Sequence, residues 1–569
     1  MLSYSSSIPL AGRGDNYSPL LTPSPTKNAP LHWDDHELRR DLLSCVIFFI
    51  DQHFPKLNHD GISYNELVAR IIKPNTDLPA GYKLLTGESF LHAQPYPSRV
   101  LPSHEPSSLR EILRLTGASS PDDIGKTGPA IAALAIDAYE GDIPEHLRLY
   151  EVVFGRDSLR VAIDLISTYP ELARATTLRL AELQGLEDYD AREEELGRIV
   201  HEARDANDPL AKSLTSRLGW EWPYYASVDA TPEFIRTLTA YCQRSEENRA
   251  FLGETYTDRK GNAQTMSHAL ELALLWIRRR LSSNEEGILE FKSKIPYGIE
   301  NQVWKDSWDA YHHADGTVAN HSHGVSSIEV QVTAYDALLD AAKLFDDILD
   351  DPSRAEELRI EAEELRQTIF DLYWTDDKGG YFVLGTDRDE TGKLRQLKVR
   401  TSNMGHALNS RLLLGDSPQL VAMREAVVGQ ILSPEMLNVS GIRTLASDEE
   451  RFRAGAYHNG SVWLWDTHHI AKGLRRHGYD AEADDLDRRI LNVVKQTRIF
   501  PEYVRGDDFP VPHINTTSII LWDDISKREN HVEQSPQEVQ AWTVAVIEAT
   551  TNRLARRALE AGAQYIQPR

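Results

Sequence analysis

Ile328-Glu329-Val330-Gln331-Val332-Thr333-Ala334-Tyr335-Asp336-Ala337-Leu338-Leu339-Asp340-Ala341-Ala342-Lys343-Leu344-Phe345 is the stretch whose period decides the fold. Ile328, Val332, Tyr335, Leu338, Leu339, Ala342 and Phe345 return every three or four positions, the spacing that gathers apolar side chains on one face of an α-helix. The pattern recurs downstream at Leu358, Ala362, Leu365, Ile369 and Leu372, and upstream at Leu159, Ala162, Ile163 and Ile166. Further helices are predicted near 171–186, 233–245, 266–281, 404–414, 419–431, 463–476, 480–495 and 537–560. Against them stand two short strand-like runs, Tyr381 to Leu384 and Ser518 to Trp522. About a dozen helices over residues 131–569 predict an all-α fold, an (α/α)6 toroid or barrel in which inner helices alternate with outer ones, with a helical solenoid as the alternative. The loops at one end of the inner ring then form the active-site funnel.

Outward from that unit, the Pro-rich stretch from Pro95 to Pro129 marks a boundary, with a helical N-terminal region expected over 31–130. Residues 1–30 are rich in Ser and Pro, with Ser18, Thr22 and Ser24 each before a proline, and are expected to be a disordered tail. The 569 residues carry 62 basic and 87 acidic side chains, a net charge of −25. Such a surface repels phosphate backbones and anionic lipid, so neither nucleic acid nor membrane is expected as a partner. The apolar run Val46 to Ile50 is far short of the ~20 residues of a membrane span. Cys45 and Cys242, nearly 200 positions apart, allow no disulfide framework and fit a reducing, cytoplasmic setting, and no signal peptide opens the chain. The oligomeric state is not legible.

Most of the eleven tryptophans sit beside Asp, Glu, Arg or Asn: Trp220 and Trp222, Trp304 and Trp308, Trp463 and Trp465. Aromatic faces stack on the C–H faces of a pyranose, while charged and amide groups bind its hydroxyls, so a carbohydrate partner is expected. The densest segment is Asn301-Gln302-Val303-Trp304-Lys305-Asp306-Ser307-Trp308-Asp309, followed by His313-Ala314-Asp315-Gly316. It resembles the signature of amylo-α-1,6-glucosidase-type glycoside hydrolases, the family related to the glucosidase half of glycogen debranching enzyme. Matching segments follow in family order: Phe154-Gly155-Arg156-Asp157-Ser158-Leu159, Glu194 to Glu202, Ser227 to Pro232, Thr401 to His406, Gly441 to Ala446, Tyr457-His458-Asn459-Gly460-Ser461-Val462-Trp463 and Pro501-Glu502.

The resemblance implies an inverting hydrolase, most simply an α-glucosidase acting on an α-glucoside or short α-glucan, without a cofactor. One carboxylic acid protonates the glycosidic oxygen and a carboxylate on the opposite face activates water. By resemblance the acid is Asp306, with Asp309 as its rival, and the base is Glu502, with Glu538 as its rival. Arg156 and Asp157 would hold the outer hydroxyls of the terminal sugar. Asp229, Trp304, Asp309, Asn403, His406, His458, Asn459 and Trp463 would line the pocket. His312, His313, His321 and His323 invite a metal reading, but no held carboxylate accompanies them and none is expected to bind one. Val303, Glu233 and Leu464-Trp465-Asp466 depart from the family pattern, which points to an altered pocket. A glucan-transferase barrel is absent from the sequence. Two other classes stay open: a sugar isomerase or epimerase using histidine on the same barrel, and a non-catalytic carbohydrate-binding protein.

Overall fold

The computed structural model describes residues 107–125, 152–507, 517–523, 528–534, 536–537 and 539–566. The Ser/Pro-rich tail, most of the expected 31–130 region, Cys45 and the rival base Glu538 lie outside the described residues. Twelve helices carry the architecture: α1 (Ser108–Thr116), α2 (Gly155–Leu165), α3 (Pro170–Glu182), α4 (Ala230–Cys242), α5 (Met266–Leu281), α6 (Ile328–Asp347), α7 (Pro352–Tyr373), α8 (Asn403–Asn409), α9 (Pro418–Ile431), α10 (Leu464–Arg476), α11 (Asp480–Thr497) and α12 (Ala541–Ile566). Two shorter ones, Pro209–Leu218 and Glu246–Arg249, decorate the connections.

Burial separates two kinds of helix that the apolar period alone does not. Helix α6 buries fifteen of its twenty residues, Glu329, Gln331 and Asp336 among them, whereas α7 buries six of twenty-two, all on one stripe. A helix buried all round is surrounded by others; a striped one faces water. The contacts follow the same division. Helix α2 packs on α4, α4 on α6, α6 on α8, α8 on α10, α10 on α12, and α12 returns to α2. Against these even-numbered helices lie α3, α5, α7, α9, α11 and α1, each packed on one or two of them.

Of the odd-numbered helices, four are capped at the start by a side chain, while α3 and α11 are not. Helices α1, α5, α7 and α9 open on Ser107, Thr265, Asp351 and Ser417, whose side-chain oxygens accept a backbone N–H of the first turn. Helices α2, α4, α6, α8 and α10 have no such side-chain cap, so their first turns leave N–H groups without that partner. These uncapped ends lie together, because Arg156 of α2 meets Asp229 before α4, and Trp304 gathers His406 of α8 and Trp463 before α10.

Beyond the two expected strand-like runs, the structure holds many more strands, most of two to four residues in the inter-helix loops. A pair so short shows no alternation, so the sequence carries no signal for it. The largest sheet is antiparallel, in the order Leu394–Leu397, Gly385–Arg388, Val325–Ser327 and Glu290–Phe291, and it leads directly into α6. The expected Tyr381 run is shortened to Tyr381–Phe382, and the Ser518 run is Thr517–Asp523, paired with Arg528–Gln534. The helix expected over 404–414 stops at Asn409, where the chain turns so that Arg411 reaches Asp336 (3.1 Å) and Asp340 (2.7 Å) on α6. Apolar packing forms one large cluster through most of the ring and a second one around Trp304, Trp463, Trp465 and Trp542.

Candidate active site

Arg156, in the first turn of α2, lies at the centre of the site. Its guanidinium is buried and faces three carboxylates: Asp229 (Nη1 to Oδ2, 3.4 Å), Asp157 (Nε to Oδ2, 3.6 Å) and Asp306 (Nη2 to Oδ2, 3.7 Å). Burial works against its charge, but Asp229, Asp157 and Asp306 outweigh it and hold the group firmly cationic. Ser227 Oγ donates to Asp229 Oδ1 (2.5 Å), which fixes that carboxylate at the start of α4. Three acids around one cation leave an excess of negative charge. Asp157 is accordingly raised above its ordinary range, by burial first, with Arg156 opposing.

Asp306 is pushed up to about 7 by burial, against the pull of Arg156 and with Asp157 and Asp229 adding to the push. Its side chain keeps 35% of its surface open, while the rest is enclosed by protein. A carboxyl at this value is half protonated near neutrality and able to give a proton to a bound oxygen. The next residue, Ser307, anchors the acid loop: its backbone N–H (3.3 Å) and its hydroxyl (2.9 Å) meet Nδ1 of His458. Because Nδ1 accepts from the backbone, the neutral ring carries its proton on Nε2, which is buried and unpaired among the described residues. Burial, followed by the charges of Lys305 and Arg156, keeps His458 neutral. Lys305, on the other side, donates Nζ to the Thr444 carbonyl (2.7 Å), and burial lowers it to about 8, against Asp466 and Glu329.

Glu502 is buried (4% exposed) and treated differently from Asp306. Oε1 accepts the Tyr457 hydroxyl (2.6 Å) and Oε2 accepts the Gln537 N–H (3.1 Å). Both donors favour the ionised form. Tyr457 is kept protonated by burial and then by the negative charges of Glu502 and Asp306, so one hydroxyl feels both carboxyls. The backbone of Glu502 pairs with Gln537 (2.9 Å), which joins its loop to the segment that opens α12.

Of the other residues expected in the pocket, Trp304 packs against His406 (6.3 Å, stacked), His458 (5.4 Å), Trp463 (6.0 Å) and Trp465 (4.8 Å). Trp463 stacks on His458 at 5.4 Å and donates Nε1 to the Tyr457 carbonyl (2.9 Å). His406 Nε2 is 2.7 Å from Asp466, while its Nδ1, the Trp304 and Trp465 N–H groups and both ends of the Asn403 amide are buried without a hydrogen-bond partner among the described residues. A concentration of orphaned donors and acceptors at one end of a fold is the signature of a site for a polar ligand. Asp309 and Asn459 form a different unit. Asn459 donates to Asp309 Oδ2 (3.1 Å) and to its carbonyl (3.0 Å), and Arg451 lies 3.6 Å from the carboxylate. The structure thus ties Asp309 to neighbours and leaves Asp306 beside the open side.

Tyr457, Gln537 and Trp465 are not among the residues that the motifs single out for the site. Tyr457 heads a quoted motif, and nothing local announces that it reaches forty-five positions along to Glu502. Glu233 and Trp465, both departures from the family pattern, meet through Arg160, which pairs with Glu233 (2.7 Å) and lies over the Trp465 ring (4.9 Å). The histidines that invite a metal are occupied otherwise: His313 meets Asp387 (3.0 Å), His321 meets Asn301 (2.8 Å) and His312 meets the His313 carbonyl (3.0 Å).

Residues 227–508 match the family model described as the mannosylglycerate hydrolase MGH1-like glycoside hydrolase domain. Similar solved structures include an uncharacterized conserved protein from Thermus thermophilus, with 13% identity over 78% of this chain and 99% of that one and a TM-score of 0.47. Another is the GH63 mannosylglycerate hydrolase from the same organism in complex with Tris, with 12% identity, the same coverage and a TM-score of 0.47. No curated protein matches the sequence. No described helix is long and apolar enough to cross a membrane.

Proposed function

From the premise that this chain is a glycoside hydrolase whose residues 227–508 form an MGH1-like domain, we propose that it hydrolyses α-glucosides or short α-glucans with inversion, using Asp306 as acid and Glu502 as base. That enzyme class replaces the isomerase and binding-protein readings. The observation that carries the assignment is the contrast between the two carboxyls. Asp306 is held at about 7 on the open side of the Arg156 cluster, while Glu502 is held by a hydroxyl and an amide that favour its anion. An acid and a base need opposed environments, and the two hydrogen bonds donated to Glu502 support the base role for it.

In this mechanism Asp306 protonates the glycosidic oxygen as the bond to the anomeric carbon lengthens. Glu502 takes a proton from water on the far face of the sugar, and the water oxygen forms the new bond. Room for that water calls for a carboxyl separation of about 6.5–9.5 Å. Asp157 and Asp229 accept outer hydroxyls while Arg156 donates to them, and neutral His458 offers its Nε2–H. The helices form an (α/α)6 barrel, supported by the contact cycle through α2, α4, α6, α8, α10 and α12. Its inner N-terminal ends make the funnel. A cytoplasmic setting is supported by the two widely spaced cysteines.

The matched model's name refers to mannosylglycerate, so the test panel holds α-glucosides, α-mannosides and mannosylglycerate, with the first-formed anomer followed by NMR. An inverted anomer from an α-glucoside is expected. Retention overturns the acid/base pair, and cleavage of mannosides alone overturns the glucoside assignment. Asp306→Asn should lose orders of magnitude on natural glycosides and far less on glycosyl fluorides, whose leaving group needs no proton. Equal loss on both removes Asp306 from the acid role.

A further inference from the structure

Trp220 and Trp222 stand outside the cluster around Arg156, in the long connection between α3 and α4. Their indole N–H groups are turned inward, Trp220 donating to the Tyr297 carbonyl (2.9 Å) and Trp222 to that of Ala211 (3.3 Å). Trp220 lies flat on Tyr224, with ring centroids 4.2 Å and planes 18° apart, and Tyr224 is fully buried. With its edge tied and one face covered by Tyr224, this half-buried ring keeps part of its surface open. Trp222 meets it edge-on at 6.1 Å, and the Tyr297 side chain is 57% exposed. Glu221, between the two tryptophans in the chain, accepts the Tyr189 hydroxyl (3.3 Å).

The platform is bonded to the catalytic end of the fold. The Tyr224 hydroxyl accepts the N–H of Ile299 (3.1 Å), two residues before the Asn301–Asp309 segment. The backbone of Tyr224 pairs with Glu202, beside His201, whose carbonyl accepts the first N–H of α2 at Gly155 (3.0 Å). The His201 ring is 6.2 Å from Tyr224 and feels the charge of Arg156. Two ring contacts therefore separate Trp220 from a histidine within the field of the sugar-holding arginine.

We infer that Trp220 and Trp222 form a further carbohydrate-binding platform, which takes a pyranose of a glycan chain extending beyond the sugar held at Arg156. The open surface of an indole suits the C–H face of a sugar, and a carboxylate on the adjacent residue suits its hydroxyls. The inference deepens the hydrolase reading and rests on it, since it makes the substrate an oligosaccharide instead of a small glycoside.

The test compares maltoheptaose with maltose, and an α-mannoheptaose with its disaccharide, on the wild type, Trp220→Ala and Trp222→Ala. The wild type should prefer the heptasaccharide of the series it cleaves. Each variant should lower the heptasaccharide-to-disaccharide ratio of kcat/KM about tenfold, the size expected for one aromatic contact, through KM and with the disaccharide rate unchanged. An unchanged ratio, a wild type no better on either heptasaccharide, or cleavage of neither heptasaccharide overturns the platform. Should an alanine variant fail to fold, Trp222→Phe added to Asp306→Asn replaces it. Tryptophan fluorescence of Asp306→Asn should then change on titration with the heptasaccharide, and the change should shrink when Trp222 is replaced; an equal change overturns the inference. Full activity in Asp306→Asn would instead overturn the catalytic assignment, whatever the ratio shows.

Discussion

In the proposed mechanism the charge state of Asp306 governs activity, and its raised value ties stability to pH as well. As the acid it must be protonated, so kcat/KM should fall as pH rises through about 7, where burial has placed it. The same shift has a stability consequence of fixed sign. The folded value lies above the ordinary 3.8, so between about pH 4 and 7 the native state binds more protons than the unfolded chain, and stability is lost as pH rises through that window. Asp306→Asn, neutral at every pH, should therefore melt above the wild type at pH 8, with the difference vanishing below pH 4. A pH-independent difference in melting temperature would show that Asp306 ionises freely in the fold. The proposed base, Glu502, depends on pH in the opposite sense. Tyr457→Phe removes a donor to the Glu502 carboxylate, an interaction worth about 1.5–3 kcal/mol with a charged acceptor, so the acid limb of kcat/KM should move up by about one to two pH units. A purely structural role for Tyr457 would lower the rate and leave the limb where it was.

At the scale of elements, the apolar period locates α5 over Met266–Leu281 and α9 and α10 to within a residue of their observed starts. It does not separate inner from outer helices, because Glu329, Gln331 and Asp336 on α6 look like a solvent face until their partners are seen: Tyr311 donates to Glu329 (3.0 Å), and Gln331 and Asp336 meet Leu289 and Arg411. Polar side chains satisfied across the ring read as exposed ones in a single sequence. The candidate site is legible for a related reason. Its charged and aromatic residues cluster in short motifs, whereas the Tyr457 to Glu502 and Arg160 to Glu233 pairings depend on loops that return from a distance. One motif glycine shows what the backbone requires. A Cβ on Gly155 would stand 1.9 Å from the Val200 carbonyl oxygen, so the segment just before the Glu202–Ala203 strand admits no side chain there. Gly155→Ala should push the first turn of α2 away, costing about 1–3 kcal/mol in an unfolding titration and displacing Arg156 and Asp157, with kcat falling more than the stability loss alone accounts for. Wild-type kcat in a destabilised variant would show that the turn tolerates the shift.

The whole molecule raises the question of where the ring ends. The Pro-rich stretch suggests that residues before 130 form a region of their own, yet α1, inside that stretch, packs on α12. Ser108 donates to Glu548 on α12 (2.6 Å), and Tyr169, just before α3, donates to the same buried carboxylate (3.1 Å). Leu109 and Ile112 pack in the cluster that holds Trp304, Trp463, Trp465 and Trp542, which is the aromatic floor of the candidate site. A helix that satisfies a buried charge and closes the core beneath the pocket is expected to unfold with the ring. Ile112→Ala should then cost about 2–5 kcal/mol, as deletion of buried methyl groups does, and appear as a downward shift of the single main transition with a parallel loss of activity on heating. An appended region would behave otherwise: a separate early transition would appear, and the main transition and the heat resistance of the activity would stay at wild-type values. Calorimetry read beside residual activity distinguishes the two, because only a helix built into the ring can couple Ile112 to the tryptophans around Asp306.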